Sequence, residues 1–162
     1  MNVAFLCLGG NIGNREFTLK QAVEKINLEI GKVISLSNYY ETEAWGVENQ
    51  DKYLNQCICV ETLLPSNLVL KKSLEIELSL GRKRNHKETY EPRTIDIDML
   101  FYNSDIIQTK ELSIPHPRLH LRKFVLIPLN EIAPTFVHPV INKTIHTLLL
   151  ECMDDCEVLP YK

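Results

Sequence analysis

Two aspartates in a strand-like segment are the residues of this chain best suited to chemistry. Asp96 and Asp98 lie within residues 94–102, which are otherwise apolar enough for a core. Residues two apart in a strand share one face at roughly 7 Å, where two carboxylates repel by about 2.5 kcal/mol at an effective dielectric of roughly 20. A compensating cation is therefore expected, and one or two carboxylates with substrate phosphates and water commonly bind Mg²⁺. The alternative is an exposed sheet face on which both carboxylates meet only water.

Basic segments flank this pair on both sides. Residues 81–93 hold five Lys or Arg against two Glu, and residues 116–123 form a second basic stretch. Guanidinium groups beside a metal would bind the remaining oxygens of a polyphosphate. For the first segment taken alone, a solvated charged loop is the favoured interpretation, although a loop of about a dozen residues is often a mobile lid. His116 and His120 are four residues apart, but Pro117 argues against a metal pair on a helix.

A glycine-rich segment, residues 9–13, lies between a predicted strand and a predicted helix. It does not fit G-x-G-x-x-G, because Leu8 occupies the first position, and the chain contains no Walker sequence. A tight turn that needs a positive φ is the simpler interpretation, although such a loop also allows a ligand to approach the backbone.

Aromatic residues form a third group. Trp45, Tyr53 and Phe124, with Thr42 and Asn55 nearby in sequence, could hold and hydrogen-bond a flat heterocycle. Ordinary core packing explains the same residues equally well.

The elements that would position these residues follow from hydrophobic periodicity. Their order, β-α-β-β-α-β, predicts an α+β ferredoxin-like fold, with an antiparallel sheet, helices packed on one face and a C-terminal extension. Strands are expected at 3–8, 33–40, 54–62 and 94–102, and helices at 14–31, at 66–81 with Ser66 as the N-cap, and near 123–132 and 143–152.

Composition limits the class of protein. A chain of 162 residues, 44% hydrophobic and 24% charged, fits a single globular domain over residues 1–162. The net charge of −3 argues against a general nucleic-acid binder. The N-terminal apolar run is too short for a signal peptide or a membrane span, and five cysteines then indicate reduced thiols in the cytoplasm. Four of them could instead form a zinc site, although their spacing fits no common zinc motif: Cys57, Cys59, Cys152 and Cys156.

Several motifs together resemble one family. They are LGGNIGN, YYETEAWG, DKYLNQ, EIELSLGRKR, PRTIDIDML and SIPHPR, and they cover about residues 1–135. The chain resembles the 6-hydroxymethyl-7,8-dihydropterin pyrophosphokinases of folate biosynthesis. The resemblance implies transfer of the terminal diphosphate of ATP to the pterin's hydroxymethyl oxygen, with release of AMP and use of two Mg²⁺. We expect a monomer with only these small-molecule partners, and no nucleic acid or membrane.

The resemblance also implies a role for each matched residue. Diphosphate transfer would depend on Arg82, Arg93, Asp96 and Asp98, with the two aspartates as metal ligands. The ATP side would comprise Glu77, Arg84, Tyr90, Met99, Ser113, His116 and Arg122. The pterin side would comprise Thr42, Trp45, Tyr53, Asn55 and Phe124.

Three residues depart from the family pattern. Gly10 stands where the family usually has Ser, and Thr89 and Glu91 make the segment before Asp96 less positive.

Two other functions stay open. A two-metal phosphohydrolase usually needs more acidic and histidine ligands than this region offers, and a non-catalytic ligand-binding module leaves the aspartate pair unexplained.

Overall fold

The structure is a computed structural model that describes residues 1–43, 51–82 and 94–162. Within these residues, six strands form one antiparallel sheet, and two further strands form a small hairpin. The strands are β1 Asn2–Gly10, β2 Lys32–Leu36, β3 Tyr40–Thr42, β4 Tyr53–Thr62, β5 Asp96–Tyr102, β6 Ile107–Gln108, β7 Ser113–Ile114 and β8 Val158–Pro160. The helices are α1 Arg15–Glu29, α2 Ser66–Ser79, α3 Lys123–Ile132 and α4 Ile145–Glu151, with a 3₁₀ turn at Leu119–Leu121.

The order of the strands in the sheet is β5-β1-β4-β3-β8. β2 pairs with the C-terminal half of β4, whereas β3 pairs with its N-terminal end. The first and last strands of the predicted β-α-β-β-α-β unit therefore lie side by side, which confirms the ferredoxin-like topology. β8 adds a further edge strand from the C-terminal extension by pairing with β3.

The strand predicted at 33–40 is divided into β2 and β3. At Ser37 the hydroxyl oxygen accepts the amide of Cys57 at 3.0 Å, while the amide of Ser37 donates to the Cys57 carbonyl at 2.9 Å. A side-chain oxygen thus replaces a backbone carbonyl in the ladder, so the regular pairing stops there.

The sheet is covered on both faces. The two helices of the predicted unit, α1 and α2, pack on one face as expected, and α3 and α4 of the C-terminal extension cover the other. On the first face, alternate residues of β1 such as Leu6 and Leu8 pack with α1 and α2. On the second face, Phe5 and Cys7 pack with α3 and α4. Two apolar sides on the central strands require two layers of helices, since each side must be buried.

Helix starts differ from the prediction in one place. Asn14 caps α1, its side-chain oxygen accepting the Phe17 amide at 3.1 Å. Ser66 is the first residue of α2 and not its cap, because Pro65 takes that position without a side-chain hydrogen bond. Among the described residues, no helix combines the length and apolar character needed to cross a membrane.

Candidate active site

The two aspartates lie on the second face of the sheet, at the start of β5. Asp96 pairs with Gly9 of β1, and Asp98 pairs with Cys7. Both side chains are half-buried, whereas Ile97 between them is buried on the first face. The predicted same-face arrangement is therefore present, and the carboxylates do not lie on the fully exposed face that was its alternative.

Arg82 provides the cation beside this pair. Its Nη1 lies 2.9 Å from Asp96 Oδ1 and 2.7 Å from Glu77 Oε2. Glu77 is buried, and its Oε1 accepts the Ile97 amide at 2.8 Å. Burial raises the pKa of Glu77, while the Ile97 amide and then the charge of Arg82 act in the opposite direction. Glu77 therefore joins the end of α2 to the start of β5, and so holds the aspartate strand against the helix that precedes Arg82.

A cavity of about 350 Å³ lies beside these charges. Polar groups suited to phosphates line it together with apolar side chains suited to a nucleotide base. Its lining includes the predicted Glu77, Arg82, Asp96, Asp98, Met99, Ser113 and His116, and also Leu70, Leu74, Glu111 and Leu112. The last four were not predicted as site residues. Leu70 and Leu74 have the same helical spacing as core residues, and nothing in the sequence indicated that the loop after β6 lines the same cavity.

His116 enters the cavity as a neutral imidazole. Its pKa is lowered to about 4, chiefly by burial and in smaller part by the positive charges of Arg122 and Arg118, while Asp96 opposes the shift. Its Nδ1 accepts the backbone amide of Arg118 at 3.2 Å. The proton of the neutral ring therefore resides on Nε2, which suits His116 to donate a hydrogen bond to a phosphate oxygen rather than to act as a cation.

The predicted pterin side begins with a buried hydrogen bond between neighbouring strands. Asn55 Nδ2 donates to Thr42 Oγ1 at 3.0 Å, and both side chains are buried. A Cβ placed on Gly9 would lie 2.7 Å from Asn55 Oδ1, so the glycine makes room for this amide. Gly9 pairs with Asn55 on one side and with Asp96 on the other. One row across three strands thus joins the predicted pterin side to the predicted metal side.

Phe124 and Arg122 lie at the start of α3. The Arg122 guanidinium carbon is 5.6 Å from the centroid of the Phe124 ring, a cation–π contact. Phe124 is half-buried against the core of the second face. Tyr53, the other predicted stacking residue, is half-buried at the start of β4. Four predicted site residues lie outside the described residues: Trp45, Arg84, Tyr90 and Arg93. The family departures Thr89 and Glu91 also lie outside them.

The groups present fit a hard cation. Asp96 and Asp98 supply carboxylate oxygens, the ligands that Mg²⁺ prefers. The nearby thiol of Cys7 stays protonated, because its hydrogen bond with Cys57 and its burial raise its pKa well above the usual value. Over residues 1–43, 51–82 and 94–162, no cluster of three or more His, Cys, Asp or Glu could hold a metal. A cation held here would therefore complete its shell with substrate oxygens and water. The zinc alternative is not supported, since Cys57 and Cys59 are buried in the core.

Paired carboxylates, an arginine that bridges Asp96 and Glu77, and a cavity lined by both polar and apolar groups are typical of a nucleotide-dependent phosphoryl-transfer enzyme. The sequence profile of the 7,8-dihydro-6-hydroxymethylpterin-pyrophosphokinase (HPPK) family matches residues 5–134. The chain belongs to this family.

Curated relatives agree with this assignment. The chain is 43% identical over 146 residues to the 2-amino-4-hydroxy-6-hydroxymethyldihydropteridine pyrophosphokinase of Aquifex aeolicus, an alignment that covers 88% of each chain. It is 40% identical over 132 residues to the protein of that name from Bacillus subtilis, covering 81% of this chain and 78% of the relative.

Solved structures agree in fold. A Plasmodium falciparum HPPK-DHPS structure with pteroate superposes with a TM-score of 0.74 at 19% identity. The match covers 93% of this chain but 44% of the longer one. At this identity, the likeness shows the fold alone.

Proposed function

We propose that the protein transfers the terminal diphosphate of ATP to the hydroxymethyl oxygen of 6-hydroxymethyl-7,8-dihydropterin, giving AMP and the pterin diphosphate in folate biosynthesis. Family membership supports the reaction. The observation that carries the site is the same-face pair Asp96 and Asp98, beside Arg82 and lining one cavity with His116.

On the ATP side, the residues supply charge and position. Magnesium, when held by Asp96 and Asp98, would neutralise the phosphates and polarise the bond to be broken. Arg82 places its guanidinium 2.9 Å from Asp96, where it can interact with charge that develops on the transferred group. His116 donates from Nε2, and Arg122 adds positive charge near it, as its effect on the pKa of His116 indicates. No covalent intermediate on the protein is needed.

On the pterin side, Thr42 and Asn55 offer a buried polar edge, and Phe124 offers an aromatic face. Tyr53 completes the stacking pair in this proposal, and Trp45 contributes backbone groups. Arg93 would act in transfer, while Arg84 and Tyr90 would cover the nucleotide. These assignments rest on the motifs of the family.

The remaining expectations belong to the same proposal. We propose that two Mg²⁺ ions take part and that residues 1–162 form one domain that acts as a monomer in the cytoplasm. All five cysteines are free thiols in the structure.

The Mg²⁺ dependence of turnover tests the site. Asp96→Asn and Asp98→Asn should each lower kcat at least about hundredfold, because each removes charge from the metal-binding pair. Asp105→Asn is the matched control, since Asp105 is exposed beyond the end of β5. Full turnover with an unchanged Mg²⁺ requirement in either site variant would contradict the assignment.

A further inference from the structure

The C-terminal segment, residues 152–162, contacts the start of α3. The N-cap residue of this helix, Arg122, provides no capping hydrogen bond from its side chain. Instead, Asp154 Oδ2 accepts the Lys123 amide at 2.9 Å, and its Oδ1 accepts the Cys156 amide at 3.0 Å. A carboxylate at this end of a helix also interacts favourably with the helix dipole. Asp154 therefore fixes the first helical residue, which lies between Arg122 and Phe124.

The same segment contacts the strand that carries Thr42. β8 pairs with β3 in antiparallel register, with Val158 opposite Thr42. Just beyond β8, the Tyr161 amide donates to the Tyr39 carbonyl at 2.9 Å. β3 is only three residues long, so β8 gives this short strand a hydrogen-bonded partner on the side away from β4.

We propose that Asp154 is a positioning residue for pterin binding, and that the segment it belongs to holds Phe124 and Thr42 at a fixed separation. This inference rests on the proposed function, in which these two residues bind the pterin. One continuous segment carries both Asp154, which caps α3, and β8, which pairs with β3. A shift of the segment at one of these contacts is therefore transmitted to the other.

Loss of the Asp154 contact should leave α3 folded. The helix buries Val125, Leu126 and Leu129 in the core of the second face. It is also tied to the sheet by Glu131, whose Oε2 accepts the Tyr40 hydroxyl at 2.7 Å. Removal of one amide partner therefore loosens the first turn, where Phe124 lies, without detaching the helix.

Steady-state kinetics of Asp154→Ala tests the proposal. The KM for the pterin should rise by up to about fivefold, the full equivalent of the roughly 1 kcal/mol of one capping bond, while kcat stays near the wild-type value. The KM for ATP should rise less, because Arg122 precedes the loosened turn whereas Phe124 lies within it. Asp154→Asn should restore most of the affinity, because its amide oxygen can accept the same hydrogen bond. Asp155→Ala is the matched control, since it removes an adjacent exposed carboxylate and should have no effect on either KM.

Three outcomes would overturn the inference. The first is a pterin KM unchanged in Asp154→Ala, whether or not the melting temperature falls. The second is an equal rise in the KM for ATP, which would indicate a general structural role. The third is a wild-type protein that forms no AMP in the presence of the pterin, which would overturn the proposed function as well.

Discussion

Replacement of Arg82 by Met tests the network that holds the aspartate strand. The guanidinium bridges Glu77 and Asp96 at 2.7 and 2.9 Å. The Glu77 side chain is 2% exposed and that of Arg82 is 15% exposed, so water screens this pair weakly. Met retains much of the volume of the side chain but removes its charge.

The expected cost follows from this burial. Loss of one partner from a buried ion pair destabilises a protein by 3–5 kcal/mol in typical cases. The lower end, about 3 kcal/mol, applies here because Glu77 Oε1 keeps the Ile97 amide at 2.8 Å.

The cost should also depend on pH. Burial already raises the pKa of Glu77, and Arg82 opposes that rise, so its removal raises the pKa further. The folded state then binds the proton of Glu77 more tightly than the unfolded state does. The stability contributed by protonated Glu77 is fully present below its unfolded pKa and is lost as pH rises through its folded pKa. The free energy of unfolding of Arg82→Met should therefore fall further below that of the wild type at about pH 8 than at about pH 5.

Urea denaturation at both pH values measures the free energy of unfolding of four proteins: wild type, Arg82→Met, Glu77→Gln and the double variant. The double variant should recover most of the lost free energy of unfolding and lose the added pH dependence, because no charge remains on Glu77. Its turnover should stay low, since Arg82 also lies beside Asp96. Equal losses in Arg82→Met at both pH values, or no recovery in the double variant, would refute this reasoning.

Three smaller predictions concern other contacts. Gly9→Ala should raise the pterin KM, because its Cβ would lie 2.7 Å from Asn55 Oδ1; kinetics in an Asn55→Ala background should show a much smaller effect if the change acts through that amide. His116 should titrate near pH 4 in an NMR titration of its ring protons, and a midpoint above about pH 6 would contradict its burial. Glu131→Gln should lower the pKa of Tyr40 from about 12, because a carboxylate at its hydroxyl is lost, but burial, the larger cause, should keep it above 10.0; ultraviolet absorbance of the phenolate measures the change.

Local patterns were sufficient to predict the elements that carry the site. Alternation along residues 94–102 predicted that Asp96 and Asp98 share a face, because a strand has a fixed period of two. The row formed by Asn55, Gly9 and Asp96 depends on strand register, which no single segment specifies. The only sign of this row in the sequence was Gly9, which was interpreted as part of a tight turn. The turn exists, with Gly13 at a φ of 67°, but Gly9 acts through the space that it leaves for Asn55.

Long-range contacts explain what the sequence did not predict. Ser37 divides a predicted strand because its hydroxyl binds Cys57, twenty residues away. α3 is capped from Asp154, thirty-one residues beyond its first residue, so no local capping pattern precedes it. The second layer of helices follows from two apolar faces on β1 and β4, but the sequence does not specify which segments cover them.

Phosphorus NMR of the complete reaction tests the central claim most directly. With ATP, Mg²⁺ and 6-hydroxymethyl-7,8-dihydropterin, we predict one AMP for each pterin diphosphate, with both transferred phosphorus atoms coupled to each other on the pterin. Appearance of ADP with a pterin monophosphate or with inorganic phosphate would contradict diphosphate transfer and would indicate a simple kinase or a phosphohydrolase.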